Sequence, residues 1–297
     1  RNNWHKAISD KGKRMTWLKR ILLGLLAVVL VGAALAYYQL KSMGVIPREI
    51  YETEAPQLPV FSRPAVLVLS KANGYVHVDA LPAGQRMLQR IADQRGWDIY
   101  LTDNAATHNP QDLAKFAVVV WNNVSGDVLT ARQRTALKSW IEQGGGWVGI
   151  HASGGDPSYQ WDWYVDTLIG AQFVGHTMDP QFQDAEVHVT DPEEEITGHL
   201  DSPWIVPQEE WYAFDSNPRD KAYEILLTLD EDSYITRGKT LFGQDRMQGE
   251  HPITWRHRPG QGRVFYSAIG HQGATYDIPE FQQLIDRAIA WAGQLPR

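Results

Sequence analysis

The sequence predicts an α/β protein with a doubly wound, mostly parallel sheet and β insertions, preceded by one N-terminal transmembrane helix. Near the start, about eighteen apolar residues follow one another without a charge, close to the minimum length of a spanning helix. Beyond residue 64, short continuous apolar segments alternate with helical ones, a pattern typical of a parallel sheet covered on both faces. Beyond Gly175, apolar and polar residues alternate instead, which indicates antiparallel or edge strands.

The apolar run extends from Ile21 to Tyr38, and basic side chains are denser before it than after it. The positive-inside rule therefore predicts a cytoplasmic basic N-terminus at residues 1–20 and an anchor in the lipid bilayer at residues 21–40. The globular part would then lie in the periplasm or outside the cell. Ala34-Leu35-Ala36 has the small-x-small form of a cleavage site, so a cleaved signal peptide is the alternative. Met15 could be the natural start of the chain, which the sequence leaves open.

Residues 41–63 contain several prolines and little periodicity, which predicts an extended stalk before one domain at residues 64–297. In the first half of that domain, apolar runs predict strands, and an amphipathic segment with a threonine cap predicts one of two helices. These elements are, in chain order, Ala65–Leu69 (strand), Leu81–Gln94 (helix), Trp97–Leu101 and Phe116–Trp121 (strands), Thr130–Gln143 (helix) and Trp147–Ile150 (strand).

The second half of the domain contains the predicted β insertions. Four further strands and a closing helix are predicted there, with the last strand near the centre of the sheet. They are Ala185–Val189, Tyr223–Leu229, Ile253–Trp255 and Arg263–Ile269, followed by the helix Pro279–Gln294.

Composition excludes several classes of function. The formal net charge of -7 argues against a protein that binds the phosphate backbone of nucleic acids, so no nucleic-acid partner is expected. The absence of cysteine excludes disulfides, thiolate metal sites and a cysteine nucleophile.

Four of the ten histidines follow short apolar runs that resemble strands. Because residues beyond the carboxyl ends of parallel strands converge on one crevice, four imidazoles from distant segments are expected to share a pocket. Histidine is both an acid–base at physiological pH and the commonest metal ligand. Alternatively, each of these histidines could be a structural residue that forms hydrogen bonds in a turn. The four are His77, His151, His176 and His271.

The most specific local pattern is a strand that ends in Gly149-Ile150-His151-Ala152-Ser153 before a loop, as in a nucleophile elbow with histidine at the central position. Together with four other segments, GYVHVDAL, LIGAQFVGH, EEWYAF and PITWRHRPGQGRVFYSAIGH, it resembles the ThuA-like (trehalose utilisation) family. This family is related to the class I glutamine amidotransferase fold. The resemblance extends from Ala65 to Gly293.

The resemblance implies a flavodoxin-like sheet with a histidine-rich pocket at its carboxyl edge. It also implies a link to carbohydrate catabolism, particularly of trehalose and oxidised (keto) sugars. Glutamine amidotransferase activity is not expected, because that chemistry needs a thiol at the elbow and the chain has no cysteine.

Three or more neutral imidazoles with a carboxylate could hold a divalent metal such as zinc, which would polarise a sugar carbonyl or activate water. Glu210 is then a fifth ligand or a general base. Without a metal, the same groups could act as acids and bases on a keto-sugar. The candidate metal ligands are His77, His151, His176 and His271.

The candidate catalytic residues are His151, His271, Glu210 and Tyr212. The candidate substrate-binding residues are His77, Asn122, Trp161 and Trp211, because amides and aromatic faces suit sugars. The adjacent Glu209 could carry the role of Glu210 and Tyr212, or all three could be structural. Asn122 could be a turn residue, and the tryptophans could pack in the core.

These observations favour a membrane-tethered enzyme that acts on a small-molecule sugar or keto-glycoside by hydrolysis, elimination or isomerisation. A non-catalytic carbohydrate-binding module and an interaction domain in an envelope complex are the alternatives. A binding module would present an exposed row of tryptophans, and an interaction domain would expose a large apolar patch.

Overall fold

The computed structural model describes residues 2–156, 159–240 and 243–296. Arg1, the first residue of the predicted N-terminal segment, and Arg297, the last residue of the predicted domain, lie outside the described residues. The chain divides into two compact units, residues 1–47 and 48–297. The first unit contains the helix α1 (Asn2–Ser42), of which Trp17–Ser42 has the length and apolar composition to cross a membrane, with a mean hydropathy of 2.4.

The second unit begins with alternating strands and helices, as predicted. The elements are β1 (Ala65–Leu69), α2 (Ala80–Arg95), β2 (Asp98–Thr102), α3 (Pro110–Leu113), β3 (Val118–Asn122), α4 (Ala131–Glu142) and β4 (Gly146–Ile150). The strands β1, β3 and β4 are buried along their whole length, as expected for the inner strands of a parallel sheet, whereas β2 at the edge of the sheet is half-buried.

The remaining elements are mostly strands, which supply the predicted insertions. They are β5 (Phe173–His176), β6 (Phe182–Val189), β7 (Trp204–Glu210), β8 (Tyr212–Phe214), β9 (Glu224–Leu229), β10 (Lys239–Thr240), β11 (Gly243–Gln244), β12 (Pro252–His257), β13 (Arg263–Ser267) and α5 (Pro279–Ala292).

The large sheet has nine strands in the order β2-β1-β3-β4-β13-β12-β9-β6-β7. Its first five strands pair in parallel, and the other four extend it by antiparallel pairing. The strand β13 is therefore the central strand, as predicted, and lies directly beside β4. This neighbourhood brings the segments that follow β4 and β13 to the same edge of the sheet.

A second sheet of four strands has the order β10-β11-β5-β8. It contains His176 and Tyr212, which face each other in the register between β5 and β8. The sequence predicts His176 beyond a strand of the main sheet. The structure places it as the last residue of β5, because that strand pairs with β8 and β11 and not with a strand of the large sheet.

Local sequence explains the boundaries of the helices that cover the parallel strands. Thr130 and Gln133 form a reciprocal capping box at the start of α4. Gly96 ends α2 in the left-handed conformation that glycine adopts without strain. At Gly146, a Cβ atom would lie 2.3 Å from the carbonyl oxygen of Ala292, so only glycine lets α5 approach β4 this closely.

Part of the predicted stalk is held on the domain. Arg48 donates to the carbonyl of Ala72, Asn73 donates to the carbonyl of Ile50, and the buried Lys71 pairs with Glu52 at 2.5 Å. Residues 48–54 therefore form a strap against the loop that follows β1. The predicted boundary between stalk and domain at residue 63 stays a prediction.

One buried histidine outside the pocket makes stability depend on pH. The Nε2 atom of His108 accepts a hydrogen bond from the indole of Trp121 at 3.1 Å. Burial lowers the pKa of His108 from 6.5 to about 4. Between these two values only the unfolded chain binds a proton at this position, so the free energy of unfolding falls as the pH is lowered through that window.

We expect His108→Gln to reduce this dependence, because the amide can accept from Trp121 but does not titrate. The slope of the free energy of unfolding against pH, measured by urea denaturation between pH 4 and 6.5, should decrease by up to about 1.4 kcal/mol per pH unit. Above pH 7 the two proteins should show parallel dependence. An unchanged slope in the acidic window would contradict the assignment.

Candidate functional site

The candidate site lies where β4 and β13 end. His151 follows β4 with a φ of 48°, a left-handed conformation that is strained for a residue with a side chain. Gly270 follows β13 with a φ of 133°, and a Cβ atom there would lie 2.9 Å from Ile150 Cγ2. The two turns bring His151 and His271 together, with Nε2 of the first 3.1 Å from Nδ1 of the second.

The hydrogen bonds of His151 fix its tautomer. Its Nδ1 atom donates to the carbonyl oxygen of Ala268 at 2.6 Å, so its Nε2 atom is an acceptor. The Tyr212 hydroxyl donates to that Nε2 at 2.8 Å. Burial, together with His77 and His271, holds the pKa of His151 well below 6.5, so the ring is neutral at physiological pH. A neutral imidazole whose other nitrogen donates to a backbone carbonyl has the arrangement usual for a metal ligand.

Glu210 supplies the carboxylate of the site. Its Oε2 atom lies 2.9 Å from His271 Nδ1 and 3.6 Å from His151 Nε2. Burial acts to raise the pKa of Glu210, but the hydrogen bond from His271 and the charges of His271 and His176 lower it below its usual value. The carboxylate is therefore ionised and can accept protons or bind a cation.

His77 completes the group from the loop after β1. Its ring centroid lies 4.9 Å from that of His151 and 4.6 Å from that of His271. Its Nδ1 atom is buried and has no hydrogen-bond partner within the described part of the chain. Burial lowers the pKa of His77 to about 3, with His271 acting in the same direction. The ring of His77 is thus neutral at physiological pH, and one of its nitrogens has no partner among the described residues of the pocket.

These four side chains can each offer one ligand atom to a single cation. The atoms contributed by His77, His151, Glu210 and His271 all lie within 4.8 Å of one another. Glu210 Oε2 and His271 Nδ1 are 2.9 Å apart, His151 Nε2 and His271 Nδ1 are 3.1 Å apart, and His151 Nε2 and Glu210 Oε2 are 3.6 Å apart. These distances bracket the ligand-to-ligand distance of about 3.4 Å expected for a tetrahedral zinc site with bonds of about 2.1 Å.

His176 lies beside this group, against the other oxygen of the carboxylate. Its Nδ1 atom is 3.2 Å from Glu210 Oε1, and Gln181 donates to the same oxygen at 2.5 Å. Glu210 therefore points one oxygen toward the three other imidazoles and is held through the second. The sequence predicts His176 as a ligand; the structure brings it to the site but not into the group of four ligand atoms.

Glu209, the residue before, ties the two sides of the site together. Its buried carboxylate accepts from the backbone N–H groups of Glu210, Gly270 and His271, at 2.9, 3.1 and 2.9 Å, and from the Thr275 hydroxyl at 2.8 Å. Burial raises the pKa of Glu209, and these four donors act in the opposite direction. The clamp fixes the end of β7 to the turn that carries His271.

The other predicted substrate-binding residues, Asn122, Trp211 and Trp161, lie outside the group of ligand side chains. Asn122 is buried and donates to Ser70 Oγ and to the carbonyl of Leu81, which are structural contacts. Trp211 is buried, and its indole donates to the carbonyl of Gln183. Trp161 is half-buried beside Trp163. None of these three side chains contacts the four ligand groups through an interaction seen in the described residues.

Sequence reasoning missed Gln181 and the clamping role of Glu209. Gln181 carries no motif, because its contact depends on the loop that connects the two sheets. The sequence offers Glu209 only as an alternative to Glu210, because its bonds to Gly270, His271 and Thr275 depend on long-range packing.

Comparisons with known proteins identify relatives that share the fold of this chain. The family model described as "Trehalose utilisation", named ThuA, matches residues 65–292. A solved ThuA-like protein from Bacteroides uniformis is 24% identical with a TM-score of 0.66, and the match covers 80% of this chain and 95% of that one. A ThuA-like protein from Parabacteroides merdae is 16% identical with a TM-score of 0.56, covering 78% and 90%. These likenesses show a shared fold. No curated protein matches the chain.

The clamp makes a direct prediction about stability. In Glu209→Gln, the amide NH₂ replaces one acceptor oxygen and faces backbone N–H groups that cannot turn away. We expect a loss of about 2 kcal/mol or more in the free energy of unfolding, measured by urea denaturation. Thr275→Val is the matched control, because it removes one donor and leaves the carboxylate, and should cost about 1 kcal/mol. Equal, small losses in both variants would refute the clamp.

Proposed function

The chain belongs to the ThuA, or trehalose utilisation, family, and from this premise we propose that it is an enzyme of carbohydrate catabolism. Its substrate in this proposal is a sugar or keto-glycoside, bound in the pocket formed by His77, His151, Glu210 and His271. The description of the family as trehalose utilisation supports the substrate class. The buried histidines with lowered pKa values, beside an ionised carboxylate, support a catalytic role.

We further propose that the pocket holds a divalent metal such as zinc. The single observation that carries this proposal is the geometry of His151 Nε2, His271 Nδ1 and Glu210 Oε2, whose separations bracket those of a tetrahedral site. The unpartnered Nδ1 of His77 supports it independently, since a buried nitrogen without a partner is costly unless something binds there. A bound metal would supply a Lewis acid for a sugar carbonyl or an activated water.

The residues of the chain then have separate tasks. His151 is held by Ala268 and presents a lone pair without first losing a proton. Without a metal, Glu210 accepts the proton that His271 Nδ1 now shares with it, or one from the substrate; with a metal, it would serve as a ligand instead. Tyr212 keeps its proton at physiological pH, because burial raises its pKa well above 10. Once His151 Nε2 is engaged, the Tyr212 hydroxyl can donate to a substrate oxygen instead.

The metal proposal predicts one tightly bound divalent ion per chain. Purified protein, stripped with a chelator and titrated with zinc, should bind one equivalent in a calorimetric titration. The variant with His151→Ala and His271→Ala together should lose this binding, because at most two of the four ligand atoms remain. The same variant should lose binding of a keto-derivative of trehalose.

Two controls locate the metal. His188→Ala should leave zinc binding unchanged, although His188 belongs to a second group, with Glu186 and Asp230, that could hold an ion. His176→Ala should weaken binding by about 10- to 100-fold without abolishing it, because His176 orients Glu210 and is not among the four groups. Absence of zinc binding, or loss of binding in His188→Ala, would refute the pocket as the metal site.

We propose, in addition, that the N-terminal helix is retained as a single-pass anchor with its N-terminus in the cytoplasm and the domain in the periplasm or outside the cell. The length and mean hydropathy of Trp17–Ser42 support the anchor. The excess of basic residues before the apolar run supports the orientation.

The absence of cysteine allows a direct test of this orientation. Val60 is almost fully exposed, so Val60→Cys introduces a single accessible thiol in the second unit. In intact cells, a membrane-impermeant maleimide should label this variant without prior lysis, and the labelled chain should remain in the membrane fraction. Labelling only after lysis would reverse the proposed topology. A labelled chain in the soluble fraction would favour a cleaved segment.

A further inference from the structure

The loop after β1 places an aromatic ring at the mouth of the pocket. The Tyr75 ring centroid lies 5.0 Å from that of His77, in an edge-on arrangement, and 6.4 Å from that of His271. Nevertheless 44% of Tyr75 is exposed, while His77 beneath it is buried. The ring therefore touches the polar floor of the pocket and faces solvent. Val78, which follows His77 in the chain, is also exposed.

The backbone under Tyr75 is rigid. The N–H groups of Asn73 and Gly74 both donate to the carbonyl oxygen of Ser125, at 2.8 and 3.0 Å. The Ser125 hydroxyl in turn donates to the carbonyl oxygen of Tyr75 at 2.6 Å. Gly126 packs so closely that a Cβ atom there would lie 2.3 Å from the nitrogen of Gly74. An exposed ring on a loop this firmly held keeps its position before any ligand arrives.

Such a ring suits one kind of ligand. A pyranose has an apolar face of C–H groups and a rim of hydroxyls, so an aromatic ring can cover the face while polar groups bind the rim. Here the half-exposed ring contacts His77 and His271, which group with His151 and Glu210. An aromatic wall with a few placed polar groups is typical of small-molecule sites.

We propose that Tyr75 is the stacking residue that binds the apolar face of a sugar ring and so selects pyranosides for the histidine pocket. This inference rests on the proposed function, which assigns the pocket to a sugar or keto-glycoside. In this role, Tyr75 recognises the apolar C–H face of the sugar. The aromatic ring carries the binding, and the phenolic hydroxyl is dispensable for it.

The test is calorimetric titration of the zinc-loaded full chain, in mild detergent, with trehalose and with its keto-derivative. Tyr75→Ala should weaken sugar binding about tenfold, and Tyr75→Phe should bind within about twofold of the original protein. Zinc affinity should be the same in all three proteins. Tyr51→Ala is the matched control, because Tyr51 is similarly exposed but lies on the strap, and should bind sugar normally.

The outcomes separate this inference from the proposed function. Unchanged sugar binding in Tyr75→Ala, with loss in the His151 and His271 double variant, would overturn the role of Tyr75 and leave the function standing. Parallel loss of zinc in Tyr75→Ala would show that the ring only supports the pocket, which also overturns it. If the original protein binds zinc but neither sugar, the substrate class is wrong and the role of Tyr75 is wrong with it.

Discussion

The arrangement of the site depends on one buried carboxylate. Glu209 accepts four hydrogen bonds, three of them from N–H groups whose direction is fixed by the backbone. Through them, the antiparallel edge of the large sheet is fixed to the turn that follows its central strand. Without this contact, Glu210 and His271 would belong to separate, independently moving segments. With it, their side chains are held within hydrogen-bond distance although 61 positions separate them in the chain.

Burial then sets the chemical state of the groups that Glu209 holds in place. His77 and His151 are kept neutral because desolvation penalises the imidazolium form, and Glu210 stays ionised because histidines surround it. The carboxylate of Glu210 and the neutral imidazoles of His77 and His151 thus lie within one small volume. This arrangement works against stability, since one nitrogen has no partner and one histidine has a strained backbone. Local costs of this kind concentrate at functional sites.

Much of the fold follows from the sequence because its signals are local. The apolar runs at β1, β3 and β4 predict buried strands, and the elbow at His151 predicts a sharp turn. The convergence of His77, His151 and His271 follows from the rule that parallel strands end at one edge. The small sheet is different: β8 has three residues and its partner β5 has four, too short for a period to be recognised. For that reason the exact position of His176 and the role of Gln181 could not be predicted, since both depend on long-range packing.

The strap at residues 48–54 belongs to the second compact unit, which begins at Arg48. Sequence patterns place the first element at Ala65, and the family model also starts there. A fragment cut at that point would lose Glu52 and leave the buried ammonium of Lys71 without its counter-ion. Asn73, at the base of the Tyr75 loop, would lose one of its backbone acceptors as well. A soluble version for crystallisation should therefore start before Arg48, so that the loop at the pocket entrance keeps the shape it has in the whole chain.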